Sequence, residues 1–193
     1  MRMLRAIEFM SLDGVIQAPG SPDEDTEGGF RHGGWQREYF DEVLGAAAAE
    51  GMAATDAYLF GRKTYDGMAA HWPTVSDDDL YARHLNATPK YVASRTPRSL
   101  EWEGSTRIEG GVADAVAELK RQEGGNIAVL GSGELVRTLL AEDLVDELFL
   151  VVFPILLGSG KRLFGEADRP TKLSLVACKP TGTGGVMLTY RRA

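Results

Sequence analysis

The stretch Ile127-Ala-Val-Leu-Gly-Ser-Gly-Glu-Leu-Val136 decides the fold of this chain. Its apolar residues run directly into the turn Gly131-Ser132-Gly133, and a segment of helical composition follows. This order is typical of a buried parallel strand that turns into a helix, whose free N–H groups and positive dipole end stabilise phosphate. The turn therefore predicts a phosphate cradle. A glycine turn of purely steric origin is the alternative, because Val136 stands where the dinucleotide-binding fingerprint has its third glycine.

Two further turns carry cations and hydroxyl groups at the ends of apolar runs. Gly61-Arg62-Lys63-Thr64 follows Ala57 to Phe60, and Ser94-Arg95-Thr96 follows Tyr91 to Ala93. Cations at a helix start are unfavourable unless an anion lies nearby, and a guanidinium beside hydroxyl groups suits a phosphomonoester. Ligands of open α/β sheets bind outside the carboxyl ends of the strands. The turns together favour one anion site over separate solvated basic loops.

The order of elements predicts an α/β fold. Strands alternate with helices through the first two thirds of the chain, and the last third is rich in strands, with a hairpin across 181–185. This pattern indicates a mostly parallel mixed sheet with helices on both faces and an antiparallel C-terminal edge, in a single domain over 1–193. The pattern predicts helices at 40–49, 62–70, 77–85, 112–122 and 134–140, and strands at 57–60, 91–93, 127–130, 145–157, 172–178 and 186–191.

Composition excludes several partners. The 28 acidic residues outnumber the 21 basic ones, and the net charge of −7 repels nucleic acid and anionic membrane surfaces. Cys178 is the only cysteine, which rules out an intrachain disulfide and fits a cytoplasmic location. The three histidines are scattered without the spacing of a metal site, so no metal is expected.

The longest apolar run extends from Leu148 to Leu157 and contains Pro154. It is too short to span a bilayer, so we expect a buried strand and no membrane association. An apolar strand near a sheet edge also makes a homodimer a reasonable expectation.

A long segment rich in Gly, Pro and Asp, residues 18–34, predicts a lid, since connections of this length are usually functional or disordered. Glycine pairs at 28–29 and 33–34 would absorb the rotations of closure. Candidates for substrate recognition and proton supply lie in and around it: Asp13, Gln17, Asp25, His32 and Trp35. For His32 an ordinary loop histidine is the alternative, and for Trp35 a place in the core.

Several of these motifs, in this order, resemble the dihydrofolate reductase superfamily. They are Met10-Ser-Leu-Asp13-Gly14-Val-Ile16 and the three turns that begin at Gly61, Ser94 and Gly131. Asp146-Glu147-Leu148, followed by Pro154 to Gly160, is more similar to the C-terminal reductase domain of riboflavin biosynthesis. The resemblance implies a dihydrofolate-reductase-like fold and an enzyme that uses NADPH to reduce a small heterocyclic substrate.

The resemblance also implies roles for individual residues. Ile16 packs near the nicotinamide, with Asp13 on the mobile loop beside it. The expected cofactor contacts are Gly61, Arg62 and Thr64 on the phosphates, Ser94, Arg95 and Thr96 around the adenosine 2′-phosphate, and Gly131, Ser132, Gly133, Glu134 and Leu135 along the pyrophosphate.

Folate reduction is disfavoured by what is absent. The strand from Phe149 to Phe153 offers only apolar residues, whereas dihydrofolate reductase grips the pterin with a strand threonine and a helix carboxylate. Asp41 and Glu42 lie near the corresponding helix, but neither aligns convincingly with that carboxylate. The leading hypothesis is therefore a reductase similar to the 5-amino-6-(5-phosphoribosylamino)uracil reductase of riboflavin biosynthesis. The alternatives are a dinucleotide-binding protein without efficient catalysis and a true dihydrofolate reductase.

Overall fold

The computed structural model describes residues 1–165 and 170–193. The strands in this part of the chain are β1 (Leu4–Ser11), β2 (Thr55–Gly61), β3 (Lys90–Ala93), β4 (Ser105–Arg107), β5 (Asn126–Leu130), β6 (Glu147–Phe153), β7 (Leu173–Pro180) and β8 (Val186–Arg192). The helices are α1 (Glu42–Ala53), α2 (Arg62–His71), α3 (Leu80–Ala87), α4 (Val112–Arg121) and α5 (Gly133–Ala141), with short 3-10 turns at Glu27–Gly29, Arg37–Tyr39 and Trp72–Thr74.

The strands form one sheet in the order β4-β3-β2-β5-β1-β6-β8-β7. The first six of these positions are parallel, whereas β8 pairs antiparallel with β6 and with β7. The predicted mixed sheet, its helices and its antiparallel C-terminal edge are confirmed. The predicted hairpin closes where the Thr181 N–H donates to the Gly185 carbonyl, 2.8 Å away.

Sequence reasoning missed two strands, β1 and β4. Strand β1 lies in the middle of the sheet, and its apolar pattern is broken by Arg5 and Glu8. Arg5 forms an ion pair with Glu147 across the β1–β6 pair, with 2.9 Å between Arg5 Nε and Glu147 Oε1. The Glu8 side chain is buried. Strand β4 has only three residues, too few to show a period.

The two faces of the sheet are covered by different helices. Helices α4 and α5 pack on the side chains of Leu4, Leu59 and Leu148, and we call this side the closed face. Helices α1, α2 and α3 cover the other side, which we call the cleft face. Because neighbouring residues of a strand point to opposite faces, β1 contributes alternately to both.

The sheet edges correct one expectation. Strand β6, which contains most of the predicted edge run, lies between β1 and β8 in the sheet interior, so the edge argument for a homodimer was wrong. The edges are β4 and β7. Every residue of β7 is exposed, including Leu175 at 55% and Val176 at 50%. Among the described residues, the helices are all too short or too polar to cross a membrane.

Candidate cofactor and substrate site

The fold brings the three predicted turns together. Strands β3, β2 and β5 are parallel neighbours, so their carboxyl ends form one edge, which we call the carboxyl edge. The Gly61 N–H donates to Ser132 Oγ at 2.9 Å and so joins the turn after β2 to the turn after β5. Arg95 reaches across from the turn after β3, with its Nη2 3.5 Å from Glu134 Oε1. The sequence motifs thus converge on one surface.

The predicted anion cradle lies at the start of α5. Gly131 and Ser132 both have left-handed backbones, with φ of 62° and 65°. Ser132 is the N-cap of α5, yet its hydroxyl is turned to Gly61 and makes no cap hydrogen bond. The first N–H groups of a helix have no partner within the helix, and no described side chain caps them here. They are available to an anionic ligand.

Gly133 has a packing role that the sequence did not reveal. A Cβ at this position would lie 2.1 Å from Ile16 Cδ1, so Ile16 packs directly against the start of α5. This contact places the predicted nicotinamide neighbour beside the cradle. It also means that a larger residue at 133 would displace Ile16 as well as any phosphate.

The cations of the carboxyl edge are accessible. The Arg95 side chain is 94% exposed, and Arg62 is half-exposed, 3.5 Å from Asp66. Beside Arg95, the Ser94 hydroxyl donates to the Thr96 carbonyl at 2.9 Å and holds the turn. Thr64 lies against the cradle, since a Cβ at Gly131 would be 3.5 Å from its Cγ2.

Asp13 joins two loops rather than pointing to the cradle. Its carboxylate accepts hydrogen bonds from the Ser11 hydroxyl at 2.7 Å and from the N–H groups of Leu157 at 3.1 Å and Gly158 at 2.9 Å. These bonds, that of Ser11 first, lower the pKa of Asp13 to about 2. Asp13 is therefore ionised at neutral pH, and it fixes the loop after β1 to the loop after β6.

Gln17 anchors the lid segment, residues 18–34. Its buried amide donates to the carbonyls of Asp25 at 3.1 Å and Glu27 at 3.0 Å, and its Oε1 accepts from the Lys161 N–H at 3.0 Å. The lid segment and the 159–161 turn line a cavity of about 300 Å³ that is open to solvent. Lys161, which sequence reasoning did not select, thus binds the lid from the opposite loop.

Ion pairs fasten the lid segment to the carboxyl edge. The Glu27 carboxylate accepts from Lys161 Nζ at 2.7 Å and also from Lys63 Nζ, in the first turn of α2. Lys161 and then Lys63 lower the pKa of Glu27 to about 2. A second pair joins Lys161 to Asp25 at 2.5 Å. A phosphate that approached Lys63 would therefore lie next to the Glu27 carboxylate.

Trp35 and His32 occupy opposite environments. Trp35 is buried, donates through Nε1 to the Gln17 carbonyl at 2.8 Å, and packs edge-on against Phe153 at 5.7 Å. Trp35 therefore belongs to the core, which was the alternative given for it in the sequence analysis. His32 is exposed on the lid, with its ring 5.5 Å from that of Phe30.

Asp41 is engaged in structural bonds. It is the N-cap of α1, where it accepts from the Leu44 N–H at 2.8 Å, and it also accepts from Gly182 at 2.5 Å and Thr183 at 3.2 Å. These bonds lower its pKa. With its oxygen atoms directed at backbone N–H groups, Asp41 holds α1 to the C-terminal hairpin.

The sheet order and the antiparallel C-terminal hairpin define a dihydrofolate-reductase-like fold. The family model described as the RibD C-terminal domain matches residues 2–187, and the chain belongs to that family. The resemblance inferred from the motifs is thereby confirmed.

Relatives and solved structures agree with this placement. The uncharacterized protein YwjB of Bacillus subtilis strain 168 is 36% identical over 187 residues, which are 95% of this chain and 94% of YwjB. A putative riboflavin biosynthesis protein from Shewanella sp. PV-4 is similar in structure, with a TM-score of 0.70, 24% identity and 99% of each chain covered. Dihydrofolate reductase from Enterococcus faecalis, complexed with NADP(H), has a TM-score of 0.63 at 18% identity, covering 98% of this chain and 96% of its own. The structural likeness establishes the fold.

Proposed function

We propose that this protein is an NADPH-dependent reductase of a small heterocyclic substrate, of the reaction type of the phosphoribosylaminouracil reductase of riboflavin biosynthesis. The observation that carries the proposal is the cradle at the carboxyl edge, where the uncapped start of α5 lies beside two accessible arginines. Helix N-termini and arginine forks are the groups that bind phosphates most readily.

The residues of the carboxyl edge fit a phosphorylated dinucleotide. In this proposal Gly61, Arg62 and Thr64 contact the phosphates, Ser94, Arg95 and Thr96 the 2′-phosphate, and Gly131 to Leu135 the pyrophosphate. Ile16 would then lie against the nicotinamide. When bound, NADPH would supply a hydride to the carbon of a C=N group of the substrate, a proton would go to the nitrogen, and NADP⁺ would remain.

The four residues predicted as catalytic divide by their contacts. Asp13, Gln17 and Trp35 are committed to bonds that hold the loops, so we assign them positioning roles. Among these four, His32 alone has an exposed titratable side chain, and we propose that it or water beside the lid supplies the proton.

Two alternatives make different predictions. A dinucleotide-binding protein without efficient catalysis would bind NADPH but would reduce none of the heterocyclic substrates tested. A true dihydrofolate reductase needs a carboxylate on α1 that faces the central strands. Asp41 at the helix start is already bonded to backbone N–H groups and Glu42 is exposed to solvent, which disfavours this alternative.

Titration of the protein with NADPH and NADH, followed by assays of NADPH oxidation with pyrimidinone and pterin substrates, tests the proposal. We expect saturable binding that favours NADPH, with turnover of a pyrimidinone-like ring but not of dihydrofolate. Absence of NADPH binding, or equal affinity for the two cofactors, would contradict it.

We also propose a cytoplasmic homodimer. The support for the dimer is β7, an edge strand exposed along its whole length with apolar residues on it. The single cysteine, which lies exposed on β7, supports a reducing compartment. Light scattering on the wild type and on Val176→Lys tests the dimer: a dimer that the substitution leaves intact rules out β7 as the interface.

A further inference from the structure

Strand β1 carries a buried carboxyl group, that of Glu8, which has no part in the site described above. On alternate positions of the same strand, Leu4, Ala6 and Met10 pack under α4 and α5, and Glu8 has their parity. Its side chain therefore points to the closed face, where it is 2% exposed. A glutamate is rare in such a core, because its charge is costly to remove from water.

Glu8 lies next to the turn that begins α5. Ile7 pairs with Leu130, the last residue of β5, and the Gly131 N–H donates to the Ile7 carbonyl at 3.0 Å. Glu8 is the next residue of β1, and neighbouring strands are about 4.8 Å apart. The buried carboxyl group therefore belongs to the residue beside the turn at 131–133, which is the proposed phosphate cradle.

The groups around Glu8 leave its carboxyl group without a direct partner. Its Oε1 makes no hydrogen bond within the described chain, and its neighbour on β6 is Leu150. The field of Arg137 on α5 reaches Glu8, but the Arg137 guanidinium donates to the Arg162 carbonyl at 2.8 Å. The other charged side chains on these elements, those of Glu134 and Arg162, are exposed and form ion pairs of their own.

The charge of Glu8 depends on pH near neutrality. Burial raises the pKa of Glu8 to about 8, and the field of Arg137 offsets only part of this rise. In its protonated form Glu8 leaves the positive potential of the first N–H groups of α5 intact. In its ionised form it places a negative charge beside the same N–H groups, and the protein interior screens such a charge much less than water does.

We propose that Glu8 couples proton binding to cofactor binding: protonated Glu8 leaves the turn at 131–133 free to bind the phosphates of NADPH, and ionised Glu8 opposes them. Where Glu8 is ionised before binding, the complex takes up a proton from solvent onto its carboxylate. This inference rests on the proposed function, because it needs the cofactor phosphates at the start of α5. Glu8 acts through the turn without touching the cofactor, so it is a positioning residue.

Calorimetric titration of the full chain with NADPH at pH 7 and at pH 9 tests the coupling, with circular dichroism to verify folding at both values. The phosphate groups of NADPH are almost fully ionised throughout this range. The affinity of the wild type should fall by about three- to tenfold more than that of Glu8→Gln, since one unit of pKa corresponds to a tenfold change. Equal losses, or a smaller loss in the wild type, would overturn the proposal.

A matched variant separates the buried carboxyl group from net charge. Glu142→Gln makes the same substitution at the exposed end of α5 and should follow the wild-type pH profile. Burial also lowers the pKa of Lys90 to about 8, but Lys90 is present in all three proteins, so its titration cancels in the comparison. If Glu142→Gln instead behaved like Glu8→Gln, net charge would be the cause and the proposal would be wrong.

Proton uptake provides a measurement that a purely structural carboxyl group would not affect. The enthalpy of NADPH binding at pH 8.5 is measured in buffers of different ionisation enthalpy, and the slope gives the number of protons bound. Uptake by the wild type should exceed that by Glu8→Gln by about half a proton. No difference between the two proteins would contradict the coupling.

The failure of this inference and that of the proposed function are distinguishable. A wild type that does not bind NADPH at pH 7 contradicts the reductase, and the coupling with it. A wild type that binds NADPH with the pH profile and proton uptake of Glu8→Gln contradicts the coupling alone.

Discussion

The two faces of the central strands differ in how completely they are covered. On the closed face, Leu4, Leu148 and Leu150 are buried under α4 and α5. On the cleft face of the same strands, Ile7 and Phe149 remain half-buried under α1. The difference indicates that one face provides the stability of the fold while the other leaves room for a ligand. Binding sites are generally such gaps in an otherwise packed scaffold.

The largest expected effect is on stability. Leu148→Ala on the closed face should lower the free energy of unfolding by about 2–5 kcal/mol, because a fully buried leucine leaves a cavity. Ile7→Ala on the cleft face should cost about half as much or less, since its site is already incompletely packed. Urea unfolding of both variants measures the difference. Equal losses would mean that the two faces are packed alike.

The closed face also contains a polar defect, Glu8. It is 2% exposed, and its Oε1 has no hydrogen-bond partner in the described chain. Burial raises the pKa of Glu8 from the ordinary 4.5 to about 8, against the opposing field of Arg137. In this window the folded protein keeps a proton that the unfolded chain has released, so the free energy of unfolding falls as pH rises from 4.5 towards 8.

Glu8→Gln removes this titration. Its free energy of unfolding should exceed that of the wild type by about 1–3 kcal/mol at pH near 8, and by less near pH 5, because the glutamine carries no charge to bury. Thermal melts across this range provide the measurement. A wild type whose stability rises over the same range would show that Glu8 is ionised in the folded state.

At the carboxyl edge the expected effect is on cofactor choice. Arg95→Ala should weaken NADPH binding by roughly tenfold or more and leave NADH nearly unchanged, because a charge-assisted contact to the 2′-phosphate is lost. Arg121→Ala, an exposed arginine at the far end of α4, is the matched control. If the two variants lose NADPH affinity equally, the effect is one of net charge.

The smallest effect concerns the lid. The Glu27 carboxylate would compete with a cofactor phosphate for the Lys63 ammonium group at the start of α2. Because an exposed ion pair is weak, Glu27→Gln should raise NADPH affinity by only about two- to fivefold. Asp23→Asn changes the same charge in the lid segment and should have no effect. The gain should also shrink at high salt. A loss of affinity in Glu27→Gln would indicate that the pair closes the lid over the cofactor instead of competing with it.

Local sequence patterns predicted most of the strands and helices of the fold. The three turns were visible because each places glycine, hydroxyl or cation directly after an apolar run, and their convergence follows from strand order. Strand β1 was missed because Glu8 interrupts its apolar pattern, and only packing explains a buried carboxyl in a central strand. Lys161 was missed for another reason: its contacts join segments distant in sequence, and no short motif records them.

Hydrogen exchange, measured first with NADP⁺ and then with a pyrimidinone added, tests the central claim most directly. We expect NADP⁺ to protect the turns at 61–65 and 131–136. The lid segment should gain protection only when both are bound. Protection that appears on α4 instead, or exchange that NADP⁺ leaves unchanged at both turns, would contradict the assignment of the cofactor to the carboxyl edge.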